Sequence, residues 1–333
     1  MITRSETLSY LLDEAKKMPG IYRPSPFWDS INEIHRKQIA DIGIENFKRS
    51  VNFKYFNWRT LGIMRHQTAP ILKQLFKGNF NPLLKSEFVN PKLAGIKNIY
   101  RVYVASLFEL VKKDDHLKLF EKIEEPALGN PLLIRYGNGL RTQDLCNSIH
   151  EFYSVFDYAD FGKKINAAEI GAGYGRTAYV FLKAMPESSY CIIDIPPALY
   201  VSQQYLSKVF AGEKIFTYRP FDSFETIEKE FMAARIKFLM PNQIELLPAR
   251  IFDLIITVSS LHEMTREQIS NFIKQIGRLS CGYFYTKQWR KSRVKDNNYI
   301  LESEYPIPET WNEVYKRNRH PIQKMFFDAL YSL

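Results

Sequence analysis

The chain has 333 residues, of which 45% are hydrophobic and 25% are charged, the balance of an ordinary globular protein. This length allows one large domain or two ordinary ones and excludes a chain too short to bury a sizeable core. No apolar run is long enough to span a bilayer, and the amino-terminal stretch is charged, unlike the apolar core of a signal peptide. We therefore expect a cytoplasmic protein without a membrane span.

The formal net charge is +10, but the lysines and arginines are scattered and form no dense basic block. This charge permits a nucleic-acid, membrane-phosphate or acidic small-molecule partner, and a generally basic surface explains it as well. The 24 Phe, 20 Tyr and 4 Trp residues suit the binding of flat apolar faces such as those of sugar rings. Cys146, Cys191 and Cys281 have neither disulfide nor zinc spacing and are predicted to be reduced thiols.

Two regions of the chain differ in pattern. Apolar residues at three- and four-residue spacings predict a mostly helical region over 1–140, with helices at 6–17, 27–42, 71–76 and 96–112. From about residue 165, strands at 166–170, 190–193, 251–258 and 283–286 alternate with helices at 175–185 and 198–210. A capping box formed by Thr265 and Gln268 begins a further helix. This alternation predicts a doubly wound α/β domain over 141–333, with a parallel sheet between helices.

A glycine loop connects the first predicted strand of this domain to the following helix. Its sequence is Glu169-Ile170-Gly171-Ala172-Gly173-Tyr174-Gly175, and glycines let the backbone turn sharply and approach a ligand. The phosphate-loop pattern is absent, and the third glycine of the dinucleotide fingerprint would fall at Arg176. The remaining pattern resembles motif I of class I methyltransferases, in which this loop cradles the methionine part of the cofactor. A tight structural turn is the alternative.

Asp194 ends the next strand and is predicted to accept the ribose hydroxyls of a bound adenosine, with Ile195 beside it. The alternative is an Asp that begins a turn before Pro196. A further strand, the third of the sheet in chain order, is expected between those at 190–193 and 251–258. It has two candidate positions, 214–218 and 235–239, and we favour the second, which makes 251–258 the fourth strand. Asn242 or Gln243 would then reach the adenine edge, and Ser259, after the fourth strand, would be a further cofactor contact.

The chain resembles the bacterial sugar O-methyltransferase family of class I S-adenosylmethionine-dependent methyltransferases. The resemblance spans most of the chain, and its distinctive segments are Asp194-Ile195-Pro196-Pro197 and Leu261-His262-Glu263-Met264. Segments 22–28, 53–58, 169–176 and 238–247 fit as well. Ala172 and Asn242 depart from the family, which commonly has glycine and histidine at these positions. The resemblance implies S-adenosylmethionine as cofactor and a sugar or glycan acceptor, in a surface glycan precursor or a nucleotide-linked sugar.

Methyl transfer to a hydroxyl requires alignment and a base that takes the hydroxyl proton. His262 follows the fourth strand, at the sheet edge where ligands bind, so we predict it as general base. Glu263 is predicted to orient it or to act as the base itself. Alternatively, His262 caps the following helix and Glu263 pairs with Arg266. No His/Asp/Glu cluster has persuasive ligand spacing, so no metal is predicted.

Acceptor contacts are predicted from Arg141, Tyr153, Trp289 and Arg290, because Trp and Tyr stack on sugars and Arg holds phosphates or carboxylates. Tyr174, Lys287, Gln288, Thr142 with Gln143, and Trp58 with Arg59 are further candidates. Residues 1–140 would bind the acceptor, form a lid or mediate homo-oligomerisation. A phenolic or other small natural product is an alternative acceptor. Nucleic acid is disfavoured because no Asn/Asp-Pro-Pro-Tyr-like segment follows the fourth strand. A non-catalytic cofactor-binding module is the remaining alternative.

Overall fold

The computed structural model describes residues 4–48, 67, 71, 73, 78, 80–89, 96–293 and 299–333. Most of the helix predicted at 71–76, and the acceptor candidates Trp58 and Arg59, lie outside these residues. The described amino-terminal helices are α1 (Arg4–Lys17), α2 (Pro26–Ile42), α3 (Asn81–Lys85), α4 (Ile96–Val111) and α5 (Leu119–Lys122). The ends of α2 follow from its sequence, because Pro26 suits the first turn and Gly43 ends the helix at φ +67°.

Three short strands accompany these helices, and the sequence pattern did not predict them. They are β1 (Glu87–Phe88), β2 (Ile134–Tyr136) and β3 (Gly139–Arg141), and they form an antiparallel sheet. Gly137 and Asn138 connect β2 to β3 in a two-residue turn with φ values of +56° and +61°. A Gly-Asn pair favours such a turn, so this dipeptide was the available signal.

The main sheet has eight strands in the order β12-β13-β9-β8-β4-β5-β7-β6. Its strands, and the antiparallel ribbon of β10 and β11, are β4 (Asn166–Ile170), β5 (Ser189–Ile193), β6 (Ile215–Phe216), β7 (Ile236–Leu239), β8 (Phe252–Val258), β9 (Ser280–Trp289), β10 (Lys291–Arg293), β11 (Tyr299–Leu301), β12 (Asn312–Arg317) and β13 (Phe326–Ser332). β13 is antiparallel to both neighbours, and the pairs from β6 to β9 are parallel. The strand order reverses between β4 and β8, so the crevice for a ligand lies beyond the carboxyl ends of these two strands.

Both candidate positions for the third strand are occupied. β7 pairs with β5, as the favoured alternative predicts. The segment at 214–218 also contributes a strand, because its residues Ile215 and Phe216 form β6 at the edge of the sheet beside β7. Sequence pattern alone could not separate the two positions, since each is a short apolar run and their order in the sheet depends on packing.

The helices of the α/β region are α6 (Gln143–Phe156), α7 (Arg176–Ala184), α8 (Ala198–Val209), α9 (Glu228–Ala233) and α10 (Arg266–Leu279). The capping box at the start of α10 is confirmed, with hydrogen bonds in both directions between Thr265 and Gln268. Right-handed crossovers on the two sides of the switch point place α7 and α10 on opposite faces of the sheet. The predicted doubly wound, Rossmann-like α/β fold is therefore confirmed.

One hydrophobic cluster includes buried residues of the amino-terminal region, such as Phe108, and of the main sheet, such as Ile192. The two regions are thus packed together. In the part of the chain that the structure describes, no helix is both long and apolar enough to span a bilayer. The same part contains no group of three or more His, Cys, Asp or Glu side chains arranged to hold a metal ion.

Candidate active site

The glycine loop lies between β4 and α7, and its three glycines have positive φ values. These are +76° at Gly171, +59° at Gly173 and +85° at Gly175, a region that other residues rarely adopt. A Cβ at Gly171 would collide with the Ser260 hydroxyl, and one at Gly175 would lie 2.8 Å from Leu206 Cδ1. A Cβ at Gly173 would meet nothing within 4 Å. Gly171 and Gly175 thus permit close packing, whereas Gly173 presents its backbone to open space.

Asp194 lies directly against this loop. Its Oδ2 accepts a hydrogen bond from the Gly173 N–H at 2.7 Å, and its Oδ1 accepts one from the Ile195 N–H at 2.7 Å. Burial raises the pKa of the Asp194 carboxyl to about 7; the two N–H groups oppose this, and the Glu263 carboxylate adds to it. The loop after β8 is also near, because Ser260 packs directly against Gly171. The ends of β4, β5 and β8 therefore converge at one edge of the sheet.

The residues proposed for the adenine edge follow β7 in the short 3₁₀ helix Pro241–Leu246. Gln243 is engaged locally, because its Oε1 accepts from Met240 N–H at 2.9 Å and its Nε2 donates to the Arg219 carbonyl at 2.8 Å. Asn242 differs, since none of the described residues provides a hydrogen-bond partner for its buried Oδ1. Of the two alternatives, Asn242 has the side-chain atom that can receive a ligand.

Ser259 directly follows β8 and has φ +55°, an uncommon conformation for a residue other than glycine. Its N–H donates to the Lys287 carbonyl at 2.8 Å, which aligns the loop after β8 with β9. The next residue, Ser260, packs against Gly171. The backbone at 259–260 therefore fixes where His262 emerges.

His262 lies in the 3₁₀ helix Leu261–Glu263 and is 3% exposed. Its Nδ1 is 2.9 Å from Gln288 Oε1, and its ring stacks on Trp289 with centroids 5.1 Å apart. Its Nε2 lies 3.6 Å from Glu263 Oε1 and forms no hydrogen bond with any described residue. The imidazole is thus held on one side and has an available nitrogen on the other.

The Glu169 side chain, predicted to contact the cofactor, is hydrogen-bonded within the sheet. Its carboxyl is buried beneath the loop and accepts a hydrogen bond from the Tyr190 hydroxyl at 2.9 Å. Burial raises its pKa to about 8, although Arg176 opposes this shift. Glu169 therefore connects β4 to β5, and it supports the glycine loop from below.

Three side chains predicted to contact a ligand have hydrogen-bond partners elsewhere in the fold. Arg141 donates to the carbonyls of Phe120, Ile123, Gly137 and Leu140, so its guanidinium organises the region around β2 and β3. The Tyr153 hydroxyl donates to Asp115 at 2.6 Å and accepts from Leu117 N–H. The Tyr174 side chain turns away from its loop to Asp144, at 2.8 Å, and packs between Phe47 and Tyr205. These hydrogen bonds hold the three side chains within the packed fold, although the buried Arg141 Nε has no hydrogen-bond partner among the described residues.

Two further acceptor candidates, Trp289 and Arg290, are adjacent at the end of β9. Trp289 stacks on His262, and its buried Nε1 has no hydrogen-bond partner within the described ranges. Arg290 pairs with Glu302 at 3.0 Å and is partly exposed. The structure thus brings Trp289 to the proposed base and places Arg290 in an ion pair beside the β10–β11 ribbon.

Two further residues near this site had no local sequence signal. Tyr305 is buried, and its hydroxyl lacks a hydrogen-bond partner in the described structure. Burial raises its pKa, and the Glu263 carboxylate contributes, which places the phenol near that residue. Ser25 donates from its hydroxyl to the Glu263 carbonyl at 2.9 Å. Tyr305 and Ser25 are near the site only because segments far apart in the chain pack together.

No family model matches the sequence, and no curated protein does. A methyltransferase from Leishmania major, described as S-adenosylmethionine-dependent, is 17% identical, covers 57% of this chain and 70% of its own, and gives a TM-score of 0.37. One from Aquifex aeolicus is 12% identical over 53% of this chain and 86% of its own, with a TM-score of 0.35. The mitomycin 7-O-methyltransferase MmcR is 12% identical, covers 56% of this chain and 57% of its own, and gives a TM-score of 0.35. Similarities of this extent carry no argument about activity.

Proposed function

We propose that the chain is an S-adenosylmethionine-dependent O-methyltransferase that acts on a sugar hydroxyl. The observation that carries this proposal is the hydrogen bond between Gly173 N–H and Asp194, which joins the glycine loop to the acid after β5. Ser260 packs against Gly171 at the same edge, so the loop with His262 lies beside them. A backbone cradle, a ribose acceptor and a base therefore share one crevice, as methyl transfer requires.

The residues present fit an adenosyl cofactor. Asp194 uses one lone pair on each oxygen for backbone N–H groups, and an ionised carboxylate has further lone pairs for two ribose hydroxyls. Asn242 Oδ1 can accept from the exocyclic amine of adenine. The open space at Gly173 leaves room for close approach of the ligand to the backbone. When bound, S-adenosylmethionine supplies an electrophilic methyl carbon.

His262 is the proposed general base. Its Nε2 would take the proton that the acceptor hydroxyl loses. Glu263 Oε1, 3.6 Å away, stabilises the imidazolium that this transfer creates. Trp289 and Tyr305 would hold the acceptor, because each has an aromatic ring and a buried N–H or O–H group whose partner the described residues do not supply.

The amino-terminal region is proposed to cover the acceptor side of this crevice. Ser25, at the start of α2, donates to the carbonyl of Glu263, the proposed partner of His262. Gln268 of α10 donates to the carbonyls of Ile21 and Arg23. These bonds connect the region before α2 to the loop that carries His262 and to the first turn of α10, which supports a role of this region as a lid.

The proposal is tested by binding and by transfer. Calorimetric titration with S-adenosylhomocysteine should give saturable binding, and methyl-labelled S-adenosylmethionine should transfer label to a glycan fraction of the cell. Label found only in RNA, or only in a phenolic fraction, would replace the sugar acceptor with that class. Binding without transfer to any fraction would indicate a non-catalytic module.

Gly173→Ala should weaken S-adenosylhomocysteine binding at least about tenfold, because a methyl group would project into the space where the ligand approaches. The left-handed conformation should also cost about 1–2 kcal/mol of folding stability. Gly212→Ala is the matched control, since Gly212 has φ +101° and open space around it but lies after α8. We expect the control to lose similar stability in urea denaturation and no affinity. Equal affinity losses in both variants would contradict the cradle at Gly173.

Cofactor binding should strengthen by about tenfold between pH 6 and pH 8, since the ribose hydroxyls require the ionised Asp194 carboxylate, whose pKa is about 7. The sign follows from burial, which keeps this carboxyl protonated at pH 6. Titration with S-adenosylhomocysteine at several pH values measures the slope. Asp194→Asn should bind weakly at every pH without this slope, and a slope that persists in this variant would assign it to another group.

A further inference from the structure

Gln288, near the end of β9, is completely buried, and its amide connects three elements of the candidate site. Its Oε1 lies 3.1 Å from Ser260 N, 3.4 Å from His262 N and 2.9 Å from His262 Nδ1. Its Nε2 lies 3.0 Å from the Thr257 carbonyl and 3.2 Å from the hydroxyl oxygens of Thr257 and Thr286. The amide thus has partners on every side.

The partners decide the orientation of this amide. Two backbone N–H groups face Oε1 and can only donate, whereas the Thr257 carbonyl faces Nε2 and can only accept. The flipped amide would set N–H against N–H and oxygen against oxygen in a buried place, which is costly. Oxygen therefore faces the imidazole of His262.

An oxygen at 2.9 Å requires that His262 Nδ1 carries a proton to donate. The backbone N–H of Trp289 also points to Nδ1, at 3.4 Å, and would favour the opposite tautomer, in which Nδ1 accepts. The Gln288 contact is shorter, and with an unprotonated Nδ1 two lone pairs would oppose each other at that distance. The Glu263 carboxylate, 3.6 Å from Nε2, is beyond hydrogen-bond distance and therefore holds no proton there. The neutral imidazole consequently has its free lone pair at Nε2.

We propose that Gln288 is a positioning residue that fixes the Nδ1–H tautomer of His262 and thereby leaves the basic lone pair at Nε2, the nitrogen that no described residue hydrogen-bonds. The proposal deepens the proposed function and rests on it for its catalytic consequence. A glutamine suits this task because it holds the Nδ1 proton without accepting it. The charge that stabilises the imidazolium is then supplied at the other nitrogen by Glu263.

The experiment is nitrogen NMR of the full chain with ¹⁵N-labelled imidazoles. The chain has 6 histidines, and His262→Gln identifies the signals of His262. At a pH where this imidazole is neutral, the wild type should show a protonated Nδ1 and an unprotonated Nε2. A wild-type spectrum with the proton on Nε2 would overturn the proposal, and this readout needs neither cofactor nor activity.

Variants add the causal test. Gln288→Leu should move the proton toward Nε2 and lower kcat about 100-fold, the lower end of what a general base contributes, with cofactor Kd unchanged. Gln288→Glu, which keeps an oxygen at Nδ1, should restore the Nδ1–H tautomer. Thr286→Val is the control, because it removes one partner of Nε2 of Gln288 and leaves the oxygen in place.

The outcomes separate the two proposals. A Gln288→Leu variant that folds and keeps the wild-type tautomer would contradict the role of Gln288, whatever the activity. The predicted tautomer in a chain that methylates no acceptor would leave the positioning role intact and refute the proposed function. If Gln288→Leu does not fold, the wild-type spectrum and Gln288→Glu still decide, since a Gln288→Glu spectrum with the proton on Nε2 would also contradict the role.

Discussion

His262→Ala is expected to lower kcat for methyl transfer by about 10²–10⁴-fold, the range that a positioned general base contributes. The affinity for S-adenosylhomocysteine should stay within about twofold, because Asp194 and the glycine loop hold the cofactor without the imidazole. The substitution removes the Nδ1 donor to Gln288 Oε1, but that oxygen keeps the backbone N–H groups of residues 260 and 262 as donors, so we expect the fold to persist. Initial rates with labelled cofactor and calorimetric Kd values measure the two effects.

The control is His116→Ala. His116 is half-exposed, lies between α4 and α5, and pairs with Asp157. Its rate should equal that of the wild type. Glu263→Gln should lower kcat less than His262→Ala, since it removes a charge 3.6 Å from Nε2 but leaves the base in place. A larger loss in Glu263→Gln, with His262→Ala near the wild-type rate, would transfer the role of base to Glu263.

The parts of the site that could be predicted from sequence depend on local conformation. Glycines at 171, 173 and 175 indicate positive φ values, and the structure has them at all three. The position of Asp194 after an apolar run likewise places it at the carboxyl end of a strand, and therefore at the edge where the loop lies. Backbone geometry and strand ends are fixed by a few neighbouring residues, so a single sequence indicates them.

The direction of a side chain depends on distant partners, and there the sequence was insufficient. Arg141 and Tyr153 have the chemistry of acceptor contacts, but the carbonyls around Phe120 and the Asp115 carboxylate bind them instead. Tyr305 approaches the site from a segment with no regular pattern. Gln288 was one of many polar candidates that follow the strand predicted at 283–286. Its contact with His262 depends on the register of β8 and β9.

A buried ion network links the helix after the glycine loop to the strand that carries Gln288. Glu151 of α6 binds Arg176 of α7 through two hydrogen bonds, at 2.6 and 3.0 Å, and Lys287 of β9 at 2.8 Å. Burial alone would raise the pKa of Glu151, but the two cations hold it at about 2. One carboxylate thus compensates two cations in the interior.

Glu151→Gln should therefore lower the free energy of unfolding by about 3–5 kcal/mol, since it leaves two buried cations without a negative partner. Urea denaturation at pH 7 measures the loss. Glu304→Gln is the matched control, because its pair with Arg266 is solvent-exposed and its loss should leave the urea midpoint almost unchanged. A loss below about 1 kcal/mol in Glu151→Gln would mean that water or a rearranged partner compensates the cations.

The pH dependence distinguishes charge from packing in this variant. Because the folded-state pKa of Glu151 is depressed from 4.5 to about 2, its contribution is complete above pH 4.5 and is lost as the pH falls towards 2. Protonated Glu151 and glutamine are both neutral and similar in shape, so the stability gap between wild type and Glu151→Gln should narrow steadily over this window. A gap of the same size at pH 3 and pH 7 would show that the substitution disturbs packing around α6, and that the ion network contributes little to the stability of the fold.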